Sequence, residues 1–129
     1  MSLVFFIGRL LYGGFFLWSG VNHLRRNEAM GRYASARKVP APRTAVASSG
    51  LLIIAGGASV ILGLWPGWVL ALVVIFLVPV SLTMHNYWAA TEPAARAGDL
   101  THFKKNAALL GAALMLYAVP QPWPWSVHW

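Results

Sequence analysis

The sequence predicts an all-α integral membrane protein, a four-helix bundle with both termini on the outer side. Three observations predict it. Hydrophobic residues make up 58% of the 129 residues and charged ones only 10%, against about 25% charged in ordinary soluble domains. Four apolar runs, at about 3–24, 45–64, 68–88 and 103–119, approach the ~20 residues that a helix needs to cross a bilayer. Finally, the basic residues gather in two short connections between those runs instead of covering a water-facing surface. The length suits a single membrane domain, 1–129.

Each run is read as a helix because every backbone donor in hydrocarbon must pair within its own segment. The runs are too long and too uniformly apolar for the strands of a barrel. The first run has no basic stretch ahead of it and no A-x-A-like cleavage site, so it is read as a retained helix and not a signal peptide. The fourth is the shortest, with Lys104 and Lys105 at its entry able to snorkel toward headgroups.

Orientation follows from the charges. Arg25, Arg26, Arg32, Arg37, Lys38 and Arg43 lie between the first two runs, and Arg96, Lys104 and Lys105 lie at the third connection. With four crossings these connections share one side, and the positive-inside rule makes it cytoplasmic, in a multi-pass protein of the cytoplasmic membrane. The outer side then carries Trp65, Trp68, Trp123, Trp125 and Trp129, at the interface where amphipathic rings prefer to lie. The Pro-rich tail "VPQPWPWSVHW" reads as an irregular interfacial anchor. Small-residue runs, "AGGAS" at 55–59 and Ala107 with Gly111, read as helix-packing surfaces.

The polar groups inside the runs carry whatever chemistry there is. At about 100° per residue, Arg9, Gly13, Phe16, Gly20 and His23 fall along one stripe of the first helix, with Tyr12 beside it. Glycines in the stripe turn it toward the bundle interior. Two readings of Arg9 stand: snorkelling outward with bonds to backbone carbonyls, or an inward donor to a ligand, since intramembrane ionisable groups are costly. His23, His85 and His102 come from three different helices but share one layer, accompanied by Asn86 and Asn106. Arg9 lies about 21 Å from His23 along the helix. The layer is read either as interhelical hydrogen bonding or as a ligand site. Pro79 interrupts the third helix and frees the carbonyl of Ile75.

Several classes fall away. There are no cysteines, hence no disulfides, thiolate nucleophiles or iron–sulfur ligation by this chain. No flavin or haem motif is present, and no HxxxH pair or carboxylate completes a metal site around the histidines. No serine has a His–acid partner set. The formal charge of +7 is explained by topology, with no nucleic acid implied.

Four ordered segments, "FFIGRLLYGGFFLWSGVNHL", "GLLIIAGGASVILGLWPGW", "LVPVSLTMHNYW" and "THFKKNAALLGAALML", resemble the DoxX family of small membrane proteins from about Phe5 to Leu116. The resemblance implies a four-helix bundle. Arg9 matches the family's first-helix arginine, and Ser19 and Gly20 match its Ser-Gly pair. His23 stands where lysine is common. His85 matches a histidine closing the third helix, and Asn106 an asparagine entering the fourth. Relatives include a subunit of archaeal thiosulfate:quinone oxidoreductase, proteins linked to quinone or oxidative-stress resistance, and a methylamine dehydrogenase maturation protein. More distant ones are cargo receptors and receptor-assembly chaperones, so the fold does not settle the chemistry.

The expectation is a redox-associated protein that binds a quinone or similar lipid in the membrane. It would be a subunit or accessory factor of an oxidoreductase or oxidative-stress system, not a complete enzyme, with electrons supplied by a partner redox protein. The ligand-binding candidates are Arg9, Tyr12, Phe16, Ser19, His23, His85, Asn86, His102 and Asn106. Arginine, imidazole and amide groups would donate to quinone oxygens, with Tyr12, Phe16 and Trp88 flanking the ring. The other reading is a non-catalytic scaffold or chaperone for a partner protein, alone or as an oligomer among membrane lipids. Transport of a small anion is disfavoured by the single inward charge and the lack of a second half-repeat.

Overall fold

The structure, a computed structural model, describes residues 1–64 and 66–127, the side chains at 66 and 69 excepted. Trp65 and Trp129, assigned above to the outer interface, lie outside the described residues. The described chain is all-helical: α1 Ser2–Arg25, α2 Asn27–Ala36, α3 Pro42–Leu62, α4 Pro66–Thr83 and α5 Pro93–Tyr117, with a single 3-10 turn at Tyr87–Ala89.

Two corrections to the four-helix expectation follow. There are five helices, because the first basic connection is itself folded. In α2, Glu28 lies in the favourable first turn and pairs with Arg32 at 3.0 Å. Its small buried residues Gly31 and Ala34 let it lie close against the start of α3. Prolines then set the boundary: Pro42 sits in the first turn of α3, where its missing N–H costs nothing.

The second correction concerns length. Among the described residues three stretches are long and apolar enough to cross a membrane: Ser2–Arg25, Pro42–Leu62 and Leu70–Ala89. The fourth expected span belongs to α5, which begins at Pro93, ten residues before the expected run, and carries Arg96, Asp99, Lys104 and Lys105 in its first half. Even so, α5 packs along α4 and traverses the bundle. Asp99 meets α2 at one end, and after α5 the chain places Trp123 edge-on to Phe5 at the other, ring centroids 5.4 Å apart.

The backbone of the bundle is the α1–α3 pair. Gly13 faces Gly57, and Gly20 faces Gly50, in an antiparallel register. A Cβ on Gly13 would stand 2.5 Å from the Gly57 carbonyl oxygen, and one on Gly20 would stand 2.6 Å from that of Gly50. Such proximity excludes any side chain at these places and maximises dispersion contact between the helices. The core continues through Phe16, Ile53, Val60, Val73 and Leu77. By contrast Gly111 has open space where a Cβ would be, and Ala107 is exposed, so this small-residue pair packs against nothing within the described chain. Large apolar side chains such as Leu11, Trp18, Leu51, Ile75 and Met115 cover the outside. That belt fits lipid as the surrounding solvent.

Candidate functional site

Two buried polar centres occupy opposite ends of the bundle. The first forms around Arg9, which is fully buried. Its Nε donates to the Val60 carbonyl at 2.9 Å, its Nη2 to Ile61 at 2.5 Å and its Nη1 to Pro124 at 2.7 Å. A helix leaves its last four carbonyls without intrahelical donors. For α3 the account closes. Ser59 accepts from the N–H groups of Gly63 and Leu64, Val60 and Ile61 from Arg9, and Leu62 from the Val127 N–H at 2.8 Å. The guanidinium also sits at the negative end of the α3 dipole, with its Cζ 5.7 Å from the Phe6 ring centre and 5.4 Å from that of Trp123. Gly63 turns the chain there with φ of 71°, and a Cβ on it would come within 2.8 Å of Arg9 Nη2.

Arg9 therefore meets neutral oxygen inside the protein and needs no carboxylate. The tail read as an anchor is part of this centre: Trp123 is 1% exposed, not laid in the interface, while Trp68 and Trp125 are exposed. Tyr12 is similarly engaged, its hydroxyl donating to the Leu109 carbonyl across to α5 at 2.8 Å.

The second centre surrounds a cavity of about 720 Å³. Its walls come from all five helices: Phe16, Ser19 and His23 of α1, Met30 and Tyr33 of α2, Leu52 of α3, Phe76 and Pro79 of α4, and His102 and Asn106 of α5, with His85 just beyond α4. The three histidines of the predicted layer thus line one space. His85 and His102 stack with ring centres 4.7 Å apart, and His23 stands edge-on to Phe76 at 5.8 Å. Of the nine sequence candidates, Phe16, Ser19, His23, His85, His102 and Asn106 line the cavity, while Arg9, Tyr12 and Asn86 do not. Trp88, expected to flank a ring, is 52% exposed and packs with Tyr87 and Phe103 instead. Where the helices part, exposed residues such as Phe15 on α1 and Lys105 on α5 border the cavity, and Lys105 Nζ lies 5.4 Å from the Phe15 ring centre.

Beside the histidines is a network that the sequence reading missed. Arg37, which caps the C-terminus of α2, donates from Nη2 to Asp99 Oδ2 at 2.7 Å and from Nη1 to Asn86 Oδ1 at 2.5 Å. The Tyr33 hydroxyl lies 3.3 Å from Asp99 Oδ1. His85 Nδ1, buried and without a hydrogen-bond partner, faces the same Oδ1 at 3.6 Å. Burial alone would raise the Asp99 carboxyl, but the hydrogen bond and charge of Arg37 outweigh it and hold the carboxyl below its usual value. The Asp99 hydrogen bond in turn raises Arg37. The available signal was arithmetic: with only three acids against ten Lys and Arg, an acid in a basic connection invites a partner. Among the described residues no group of three or more His, Cys, Asp or Glu is placed to hold a metal ion.

Apolar helices of crossing length, with a partly open cavity between them, define a multi-pass helical membrane protein. It belongs to the DoxX family, whose family model matches residues 4–86, from the start of α1 through His85 and Asn86. No curated protein and no solved structure matches the chain.

Proposed function

We propose that the protein is a redox-associated membrane subunit or accessory factor that binds a lipid-soluble ring compound of the quinone class in the 720 Å³ cavity. The carrying observation is the cavity's composition: apolar and aromatic walls with imidazoles and one amide converging from separate helices. That is the usual make-up of a small-molecule site. Electrons come from a partner redox protein, since the sequence offers no flavin, haem or iron–sulfur motif. In this reading the chain crosses the cytoplasmic membrane four times with both termini outside. In its support, Arg9, Phe5 and Leu62 all contact the C-terminal segment at one end, while α2 with its basic residues lies at the other.

Mass spectrometry of lipid extracted from the purified protein tests the reading. A quinone-class molecule should be retained by the wild type and lost when Ala45, a cavity-wall residue, is changed to Trp. Retention unaffected by filling the cavity, or no such molecule at all, rejects it. The scaffold reading draws on one observation, the outward Ala107–Gly111 face with nothing packed on it. It predicts a partner protein that co-purifies with the wild type and is lost on Gly111→Leu, with the lipid content unchanged.

A further inference from the structure

Lys105 is a cation within the bundle whose donors are unmatched. It lies about 18 Å along α5 from Pro93 at 1.5 Å per residue, and it lines the cavity together with His102 and Asn106 of the same helix. Its Nζ stands 5.4 Å from the ring centre of Phe15. Its charge also bears on the His23 and His85 rings, and all three of these neighbours are cavity walls. The ammonium therefore stands at the cavity's open margin, in the gap between α1 and α5, where no Cα atom of one helix comes within 8 Å of the other. Phe15 is about 15 Å along α1 from its end at Arg25. That depth falls inside a hydrocarbon core ~30 Å thick, so the side chain does not reach the headgroups.

Arg9 and Arg37 each find oxygen within the protein. Lys105 does not: among the described residues its ammonium has the Phe15 ring but no hydrogen-bond acceptor, and no carboxylate within 4.0 Å. None of the three acids lines the cavity. Glu28 pairs with Arg32 and Arg43, Asp99, which His85 faces, pairs with Arg37, and Glu92 is exposed just before α5. The neutral lining adds further donors. Asn106 has a second amide N–H beyond the one given to Ser81, and Ser19, Ser48 and a His102 ring nitrogen can also donate. Exposed Arg26 adds a second positive charge at the edge. A cation held at this depth without a counter-charge is costly. Its complement is an accepting oxygen that bears negative charge.

Resting on the reading of the cavity as a quinone-class site, we infer that Lys105 is its polar anchor and that the ring compound it selects is an anion, a quinone carrying an ionised hydroxyl or carboxyl group. Apolar walls such as Phe16, Leu52 and Phe76 take the ring, and the ammonium takes the ionised oxygen. A phospholipid phosphate stays in the headgroup region outside the core. At the depth of Lys105 the acceptor therefore arrives with a ligand that itself enters the hydrocarbon.

The test compares lawsone, a hydroxynaphthoquinone ionised at neutral pH, with menadione, its neutral methyl counterpart. Binding is measured on the full chain in phosphatidylcholine nanodiscs and corrected for uptake by empty discs. Lawsone should bind at least about tenfold more tightly, because a charge-assisted hydrogen bond distinguishes the pair. Lys105→Met should abolish that preference while leaving menadione affinity within about twofold, and Lys105→Arg, which keeps the charge, should retain most of it. Adding phosphatidylglycerol to the discs should leave the ratio unchanged. Equal binding of the two probes, or a preference that survives Lys105→Met, overturns the inference and leaves the cavity reading intact. So does a preference abolished by phosphatidylglycerol, which makes the ammonium a headgroup contact. Binding of neither probe rejects both.

Discussion

The two ends of the bundle each hold an arginine, fully buried at Arg9 and half-buried at Arg37, and they handle it differently. At the α3 C-terminus Arg9 is enclosed by three backbone carbonyls and two aromatic rings, and it does not line the 720 Å³ cavity. At the other end Arg37 meets a carboxylate, a phenol and an amide, next to a large cavity with an unpartnered imidazole nitrogen. An intramembrane cation is thus not by itself a mark of a ligand site. What matters is whether its donors are already matched, and at Arg9 the helix terminus matches them. Catalytic or binding capacity collects where polar groups remain incompletely paired.

Breaking the saturated end should have the largest effect. Arg9→Leu leaves the carbonyls of Val60, Ile61 and Pro124 without donors in a dry environment. It should lower stability by about 3–5 kcal/mol, read as the shift in unfolding by SDS titration. Arg9→Lys should recover only part, because an ammonium cannot span three acceptors in one plane. Next comes the glycine contact. Gly20→Leu puts side-chain atoms against the Gly50 backbone and should cost about 1–3 kcal/mol by forcing α1 and α3 apart, whereas Gly14→Leu, where a Cβ meets nothing within 4 Å, should be nearly neutral in the same assay.

At the open end the expected effects are smaller. Asp99→Asn leaves Arg37 without its counter-charge and should cost about 1–2 kcal/mol, the guanidinium being partly solvated. The sign of its pH dependence is fixed by the lowered carboxyl. The ion pair contributes fully above the ordinary value of 3.8 and is lost as pH falls through the lower folded value. Acid titration of thermal stability should therefore show a loss in that acidic window in the wild type that Asp99→Asn lacks. His102→Ala should change stability least, within about 0.5 kcal/mol, because no hydrogen bond holds the ring. Its effect should instead fall on retention of the cavity ligand, through loss of the stack on His85.

Helical periodicity made much of α1 legible. Four residues of the predicted stripe, Arg9, Gly13, Phe16 and Gly20, are the buried residues of that helix. The acceptors of Arg9 were not legible, because a carbonyl belongs to every residue and leaves no mark in the sequence. For the same reason the tail looked like an anchor: Pro124 and Val127 act through their backbone atoms. The second helix was hidden by its polarity. Its buried contacts are a glycine and an alanine, which carry little hydropathy signal. Asp99 pairs with a residue 62 positions away, a distance no local pattern encodes. The histidine layer was accessible because depth along each helix can be counted, but the proton positions on those rings depend on partners that only the fold supplies.

The most direct measurement compares ligand retention in Ala45→Trp and Arg9→Lys, each normalised to folded protein in the same lipid. The account predicts that filling the cavity removes the bound quinone-class molecule with little loss of stability. Weakening the arginine centre should lower stability and leave the ligand content per folded chain unchanged. The opposite pattern, with ligand lost on Arg9→Lys and kept on Ala45→Trp, would contradict the division of labour between the two ends.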